Sequence, residues 1–245
     1  MNSNMSEERD PAWHTPPDEG DGGSRTLEAL LSRRFSCRAF LSDQVPHATI
    51  VRILELAQRT ATWCNTQPWK VWVTGGASTE RFRDALYRHA QGGAPSAPDI
   101  AWPREYRGIY LERRRDAGFK LHAAVGITRS DAEGRQRQLL ENYRLFGAPH
   151  MALITTDEAI GTYGVLDCGA YVSNFLLAAR AFGVDSIAQA AIAHHSPFVR
   201  AHFGLPDDRI VVCGISFGYA DHSHPANGFR TSRADLDGVV TWVDD

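Results

Sequence analysis

Lysine is nearly missing from this chain of 245 residues: only Lys70 and Lys120 are present, and arginine supplies almost all the positive charge. Codon bias in a GC-rich genome explains such a count as readily as function does, so single arginines carry little weight and only clusters argue. Cysteine is scarce and scattered. Cys37, Cys64, Cys168 and Cys213 form no CxxC pair, which speaks against a zinc ribbon or thioredoxin-type motif and fits a reducing compartment. No basic start leads into an apolar core, so no secretory signal is read and a cytoplasmic location is expected. The net charge of −3 lacks the positive excess that would point to nucleic acid or an anionic membrane surface. No apolar run reaches the roughly 20 residues of a membrane span: the most apolar stretch, 164–182, is interrupted by Asp167, Ser173, Asn174 and Arg180. There is no internal repeat. The hydrophobic share of 43% suffices for a sizeable core, in one large domain or two small ones.

The chain is organised around that stretch, GVLDCGAYVSNFLLAARAF. Its apolar residues occupy most of a helical circumference, so the helix is expected to be buried on nearly all sides, with Gly183 as its left-handed cap. A chain of this size rarely surrounds a helix alone. A second copy covering the remaining face, and hence a homodimer with this helix as its spine, is expected. The small residues that follow, Ser186 and Ala188 to Ala191, let backbone approach a flat ligand, and Gln189, Ala190 and Ala191 are expected to wall an active site.

Around it, residues 1–24 are acidic and rich in Pro and Gly and read as a flexible tail; 25–245 reads as one domain. Leu27, Leu30 and Leu31 mark a short helix. Pro46 suits a first helical turn, and Ile50, Ile53, Leu54 and Ala57 follow at helical spacing. TWCNTQPW is a polar turn into the strand WKVWVTG. Ser78 or Thr79 is placed to cap a helix running to about His89. The segment 91–103 reads as a loop or lid, 104–124 and 131–145 as helices, 149–156 as a buried strand, Ser196–Pro197 as a helix start and RIVVCGISFGY as a strand. Helices and strands mix without regular alternation, which makes the class α+β.

Several segments carry chemistry. Arg34-Phe-Ser-Cys-Arg38 gathers two guanidinium forks and a hydroxyl, groups suited to phosphate oxygens, although alone it is more often a solvated basic turn. Asn65 and Gln67 offer amides able to read a heteroaromatic edge, although an Asn-x-Gln is usually a satisfied turn. Arg230 and Arg233 return positive charge near the C-terminus. Gly214-Ile-Ser216-Phe-Gly218 is a true GxSxG, the signature of a hydrolase nucleophile elbow. The turn after it, and the 29 residues left for an Asp and a His, argue against that use. His194-His195 and His222-x-His224 lack a carboxylate or cysteine at suitable spacing, so no metal site is expected.

Taken in order, RFSCRAF, NTQPW, SNFLLAARAFGVDSIAQAAI, FGLPDDRIVVCGISFGYAD and NGFRTSR resemble the FMN-dependent nitroreductases. The resemblance runs over about residues 25–245 and is nearest to a subgroup acting on nitrobenzoate-like or dinitroaniline-like aromatics. It implies a mainly antiparallel mixed sheet flanked by helices, a long buried dimer helix, and a C-terminal extension embracing the partner. Arg34, Ser36, Arg38 and Arg233, with Arg230 beside it, fall where the family grips FMN phosphate and ribityl. Phe35 stands where many members carry Arg or His. Asn65 and Gln67, with backbone at Thr62–Trp63, correspond to a loop donated across the dimer. Trp63 and Cys64 replace the usual small residues there. Gln189–Ala191 match the segment facing flavin N5. No GxGxxG occurs, which suits FMN better than a Rossmann-bound dinucleotide. The implied reaction is NAD(P)H-dependent reduction of nitroarenes by ping-pong exchange, with no side chain acting as nucleophile or other catalytic group. The alternative in the same superfamily is reductive dehalogenation or dehydrogenation.

Overall fold

In a computed structural model the chain is described from residue 22 to residue 243. It divides into two units at Arg33/Arg34. The first contributes one helix, α1 (Gly22–Arg33), which buries none of its residues. Most of the tail read from composition lies outside the described residues; Gly22 to Ser24 open α1.

The second unit is built on one sheet of four antiparallel strands in the order β1-β2-β4-β3. These are β1 (Lys70–Gly75), β2 (His150–Asp157), β3 (Asp185–Gln189) and β4 (Arg209–Gly218). An isolated parallel bridge, Ser36 to Ser186, adds a fifth segment against β3. Period-two alternation sends Ala152 and Ile154 to one face of β2 and Met151 and Leu153 to the other. On β4 the register slips between Ile154 and Thr155, so that Thr155 pairs with Val211 while Ile154 pairs with Cys213. That bulge turns Val211 to the face opposite Cys213, Ile215 and Phe217.

Each face has its own core. α2 (His47–Ala57) and α6 (Gly161–Ala181) cover one, bringing Ile53, Tyr171 and Phe175 against Ile154, Ile215 and Phe217. α3 (Ala77–Gln91) and α7 (Ser196–Phe203) cover the other, bringing Phe82, Leu86 and Val199 against Met151, Leu153 and Val211. α4 (Gly108–Ala124) and α5 (Ala132–Leu140) complete the chain order. No helix among the described residues is long and apolar enough to cross a membrane.

The differences from expectation are local. Pro46 flanks α2 with φ −55° and ψ 136° and does not begin it. Neither Ser78 nor Thr79 caps α3, which starts at Ala77; the Thr79 hydroxyl donates to Thr74 Oγ1 at 2.9 Å, tying the helix to β1. α5 stops at Leu140 because the chain then turns through Leu145 and Phe146, both buried and at φ 56° and 52°. Gly183 holds φ 72° just past α6, as a left-handed cap requires. Within one chain α6 is not surrounded. Tyr163 and Leu166 are 53% and 65% exposed, and Gly169, Ala170, Ser173 and Asn174 continue that open stripe. β3 is an element that the sequence reading did not separate from the small-residue run.

Candidate active site

The bridge to Ser186 fixes the first basic segment. Cys37 N–H donates to Ser186 O at 3.2 Å, and Phe35 and Cys37 bury their side chains against Ala220. Asn227 then clamps the C-terminal segment onto the same strand. Its Oδ1 accepts from Arg38 N–H at 2.7 Å, and its Nδ2 donates to Ala39 O and Asp221 O at 2.8 Å each. An amide so fully used when buried is a rigid joint. It brings Arg230 and Arg233 back over residues 34–38. The Arg230 guanidinium lies 4.0 Å from the Phe35 ring centroid, and Arg38 lies 5.5 Å from that of Phe229.

Four guanidinium groups thus gather on two strands of chain far apart in sequence. Among the described residues none of Arg34, Arg38, Arg230 and Arg233 forms an ion pair with a carboxylate; their hydrogen bonds go to carbonyls and a hydroxyl, as from Arg38 Nη1 to Ser36 O at 3.1 Å. The nearest acid on β3, Asp185, is already committed to Arg180 at 2.8 Å. Burial, and then the like charge of Arg233, hold the Arg34 guanidinium below its ordinary pKa. Burial does the same to Arg38. Such a cluster is repulsive unless an anion joins it.

Three residues along β3 from the bridge, about 10 Å at strand spacing, the strand ends at the expected wall. Ala188 and Ala190 are exposed and Gln189 is buried. The Gln189 side chain points inward as a brace: Oε1 accepts from Ser216 Oγ at 2.5 Å and Nε2 donates to Asn142 O at 2.9 Å. This is what GxSxG does here. Ser216 is fully buried and hydrogen-bonded, so it is no nucleophile. Gly214 leaves room for Ile192, whose Cδ1 would stand 2.3 Å from a Cβ at that position. The three buried thiols are equally inert: burial pushes Cys37 and Cys213 up to about 12 and Cys168 to about 11.

After the wall, a 3₁₀ turn (Ala190–His195) leads into α7 and carries the segment 91–103. Ala97 N–H donates to His194 O at 2.7 Å, and Ser96 Oγ lies 3.0 Å from His194 Nδ1. The Asp99 carboxylate accepts from Val211 N–H and Arg200 Nη2, both at 2.8 Å. The Trp102 ring centroid lies 4.1 Å from that of His194, the two rings tilted by 34°.

The loop Thr62 to Gln67 stands elsewhere. Asp167 of α6 accepts from Trp63 N–H at 3.2 Å, and the Trp63 ring lies 4.9 Å from Tyr163. Gln67 receives Gln58 Nε2 at 2.9 Å and gives its own Nε2 to Asn65 Oδ1 at 3.0 Å. Cys64, Asn65 and Gln67 all hold positive φ, 47°, 55° and 46°, a strained run of the kind found at ligand clamps. Within one chain this loop rests on the open stripe of α6 and, among the described residues, makes no hydrogen bond to the arginine cluster. Of the bracing residues only Asn142 lies in no segment that the sequence reading singles out for chemistry or as the organising helix. Asp167, Ser216 and Asn227 lie in such segments, but their pairing here with Trp63, Gln189 and Arg38 is not read from sequence. His224 supports the same corner, its Nδ1 accepting from Ala226 N–H at 3.2 Å, and no three potential ligands converge as a metal site among the described residues.

A nitroreductase family model matches residues 31–219, most of the chain, and the protein belongs to that family. Among individual relatives it is 36% identical to nitroreductase NfnB of Mycolicibacterium smegmatis, over 87% of this chain and 91% of that one. It is 33% identical to a 4-nitrobenzoate reductase of Nocardioides sp., over 89% and 91%. The structure of the FMN-dependent NfnB from Mycobacterium smegmatis in complex with NADPH superposes with a TM-score of 0.86 at 34% identity, over 90% of this chain and 99% of that one.

Proposed function

We propose that this chain is an FMN-dependent nitroreductase that takes electrons from NAD(P)H and gives them to nitroaromatic compounds, working as a homodimer. One observation carries the reading: Arg34, Arg38, Arg230 and Arg233 converge without a carboxylate among them, beside a strand that ends between the exposed Ala188 and Ala190. A phosphomonoester carries about −1.5 to −2 charge at neutral pH and three acceptor oxygens, so the donor set fits the FMN phosphate. Bound FMN supplies the redox chemistry, accepting a hydride from the nicotinamide and passing electrons to the nitro group. The protein's part is to hold and shape. Arg34, Ser36, Arg38 and Arg233 grip the phosphate end, and Arg230 is kept over Phe35 as a fixed neighbouring charge. Gln189, braced on both sides, sets Ala190 and Ala191 as a rigid wall beside the isoalloxazine.

The remaining pieces come from a second copy. The exposed stripe of α6, from Tyr163 and Leu166 through Ala170 and Asn174, is the surface one protomer lays on its partner, and Thr62, Trp63, Asn65 and Gln67 ride on it into the neighbouring site. The exposed apolar tail residues Leu236, Val239 and Trp242, 67%, 63% and 76% exposed, embrace the partner. A single site beside the Gln189–Ala191 wall would serve both substrates, so that nicotinamide would leave before the nitroarene enters. The purified protein should be a yellow dimer at low micromolar concentration by light scattering, releasing FMN on heating. Anaerobic NADPH should bleach it, and a nitroarene should restore the colour with parallel double-reciprocal plots. A flavin other than FMN, a monomer that keeps its flavin, or a reduced enzyme reoxidised by halophenols but not by nitroarenes would each sink the corresponding part.

A further inference from the structure

A second cationic cavity lies apart from the phosphate cluster. It is an open cleft of about 830 Å³ between α4 and the turn into α5, with Arg114, Arg115, Phe119 and Arg129 exposed along it. Arg115, Phe119 and His122 recur along one face of α4 at helical spacing, with Arg114 beside them; Arg129 and Arg135 close the opposite side. No Asp or Glu lines it. Among the described residues none of its four arginines is ion-paired, whereas nearby Lys120 and Arg137 face Asp116 and Glu133. Within the lining the Arg129 guanidinium sits 5.8 Å from the Phe119 ring, and Arg114 sits 5.0 Å from the ring of Tyr106 outside it. Arg135 Nη1 donates to Arg129 O at 2.5 Å and fixes the pair. The cavity shares no lining residue with Gln189–Ala191, yet Ile127 also lines a neighbouring cavity of about 560 Å³ that reaches Arg38.

We propose that this cavity receives the 2′-phosphate end of NADPH, with adenine against Phe119, and so selects NADPH over NADH; the proposal rests on the reading of the chain as an NAD(P)H-consuming flavoprotein. A nitroarene is small and must bring its nitro group to the flavin wall, so a cavity apart from that wall is of no use to it. A dinucleotide has a distant end. NADPH differs from NADH by one phosphomonoester, a near-dianion that guanidinium forks recognise in two-bond fashion, where NADH offers a hydroxyl to four unneutralised charges.

Calorimetric titration of the FMN-loaded protein with 2′,5′-ADP and with 5′-AMP isolates that phosphate. Native protein should bind 2′,5′-ADP at least about ten-fold more tightly, as one or two charged hydrogen bonds imply. Arg115→Gln with Arg129→Gln should erase the advantage, leaving 5′-AMP affinity and flavin content unchanged. The doubly lysine-substituted counterpart should retain part of it. In steady-state assays the KM for NADPH should rise about ten-fold in the glutamine variant while that for NADH stays. Equal affinity for the two fragments in native protein, or an intact preference in the glutamine variant, would overturn the proposal. So would a defect confined to nitrobenzoate relative to nitrobenzene. If neither nucleotide bleaches the bound flavin, the nitroreductase reading fails and takes this inference with it.

Discussion

β2 and α4 make opposite use of their residues. From His150 to Thr156 every residue of β2 is buried, and both neighbouring strands pair with it. Along the seventeen residues of α4 none is buried. Two of the strand's polar side chains are tied within the protein: His150 Nε2 accepts from Val45 N–H at 3.0 Å, and Thr155 accepts from Arg209 at the start of β4, which also donates to Pro68 O. The helix leaves arginines without counter-charges. The lesson is one of division: the sheet and its two cores hold the fold, while α4 and the arginine segments are left available for something the chain does not contain. Regions with few buried contacts open first and are where ligand-responsive motion is drawn from.

The sharpest way to break that contrast is a pair of matched truncations. Phe217 is fully buried and meets Phe175 edge-on at 5.5 Å; Phe217→Ala should cost about 3–5 kcal/mol in urea unfolding. Phe119, 53% exposed on α4, should change stability by no more than about 0.5 kcal/mol when cut to Ala. Equal losses would show that α4 belongs to the core after all.

Next in size are the arginines. Arg38→Ala and Arg233→Ala should each remove a charged hydrogen bond worth about 1.5–3 kcal/mol, raising the FMN dissociation constant roughly ten- to hundred-fold with an unchanged melting profile. Titration of apoprotein with FMN measures this, and unaltered affinity in both removes their phosphate role.

A smaller effect is expected from His150. Burial holds its pKa below 6.5, outweighing the hydrogen bond between Nδ1 and Thr74 O at 3.1 Å, which favours the charged ring; Nε2 accepts from Val45 N–H. The unfolded chain then binds more protons than the folded one once the pH drops below 6.5. Stability should fall from there and level off after the folded value is passed. His150→Gln should be less stable at neutral pH but show a shallower loss between pH 6.5 and 5; an unchanged slope would assign the titration to other buried histidines.

The smallest change concerns Trp63, which is 60% exposed. Trp63→Gly should leave stability nearly unaltered and the NAD(P)H half-reaction intact while admitting bulkier nitroarenes. An unaltered acceptor profile would place this tryptophan outside the partner's site.

What was legible in the sequence was whatever periodicity or composition encodes directly. Ile50, Ile53 and Ala57 repeat along α2 and all three are buried, and the apolar alternation of RIVVCGISFGY gives β4. What was not legible depends on a partner elsewhere in the chain. β3 is five residues long, and Asp185, Ser186 and Gln189 are buried only because β4, Arg180 and Ser216 accept them. Thr79 looks like a helix cap until Thr74 supplies a better bond. The phosphate-side arginines are visible as short motifs, but nothing in NGFRTSR marks Asn227 as the joint that brings them together. The α4 arginines were visible only as a charged helix, since a cavity is a property of two elements facing each other.

The stitching of residues 96–102 to the body has a consequence for handling the protein. Downstream of Gly93, Ala97, Asp99 and Trp102 are held to His194, Arg200 and Val211. Upstream, α3 is anchored by Phe82 and Leu86 in the core. A protease cutting at the exposed glycines between them would therefore sever the chain without separating the pieces. The product would run as two bands under denaturing conditions and as one intact particle on gel filtration, so an apparently degraded preparation would still be a whole one.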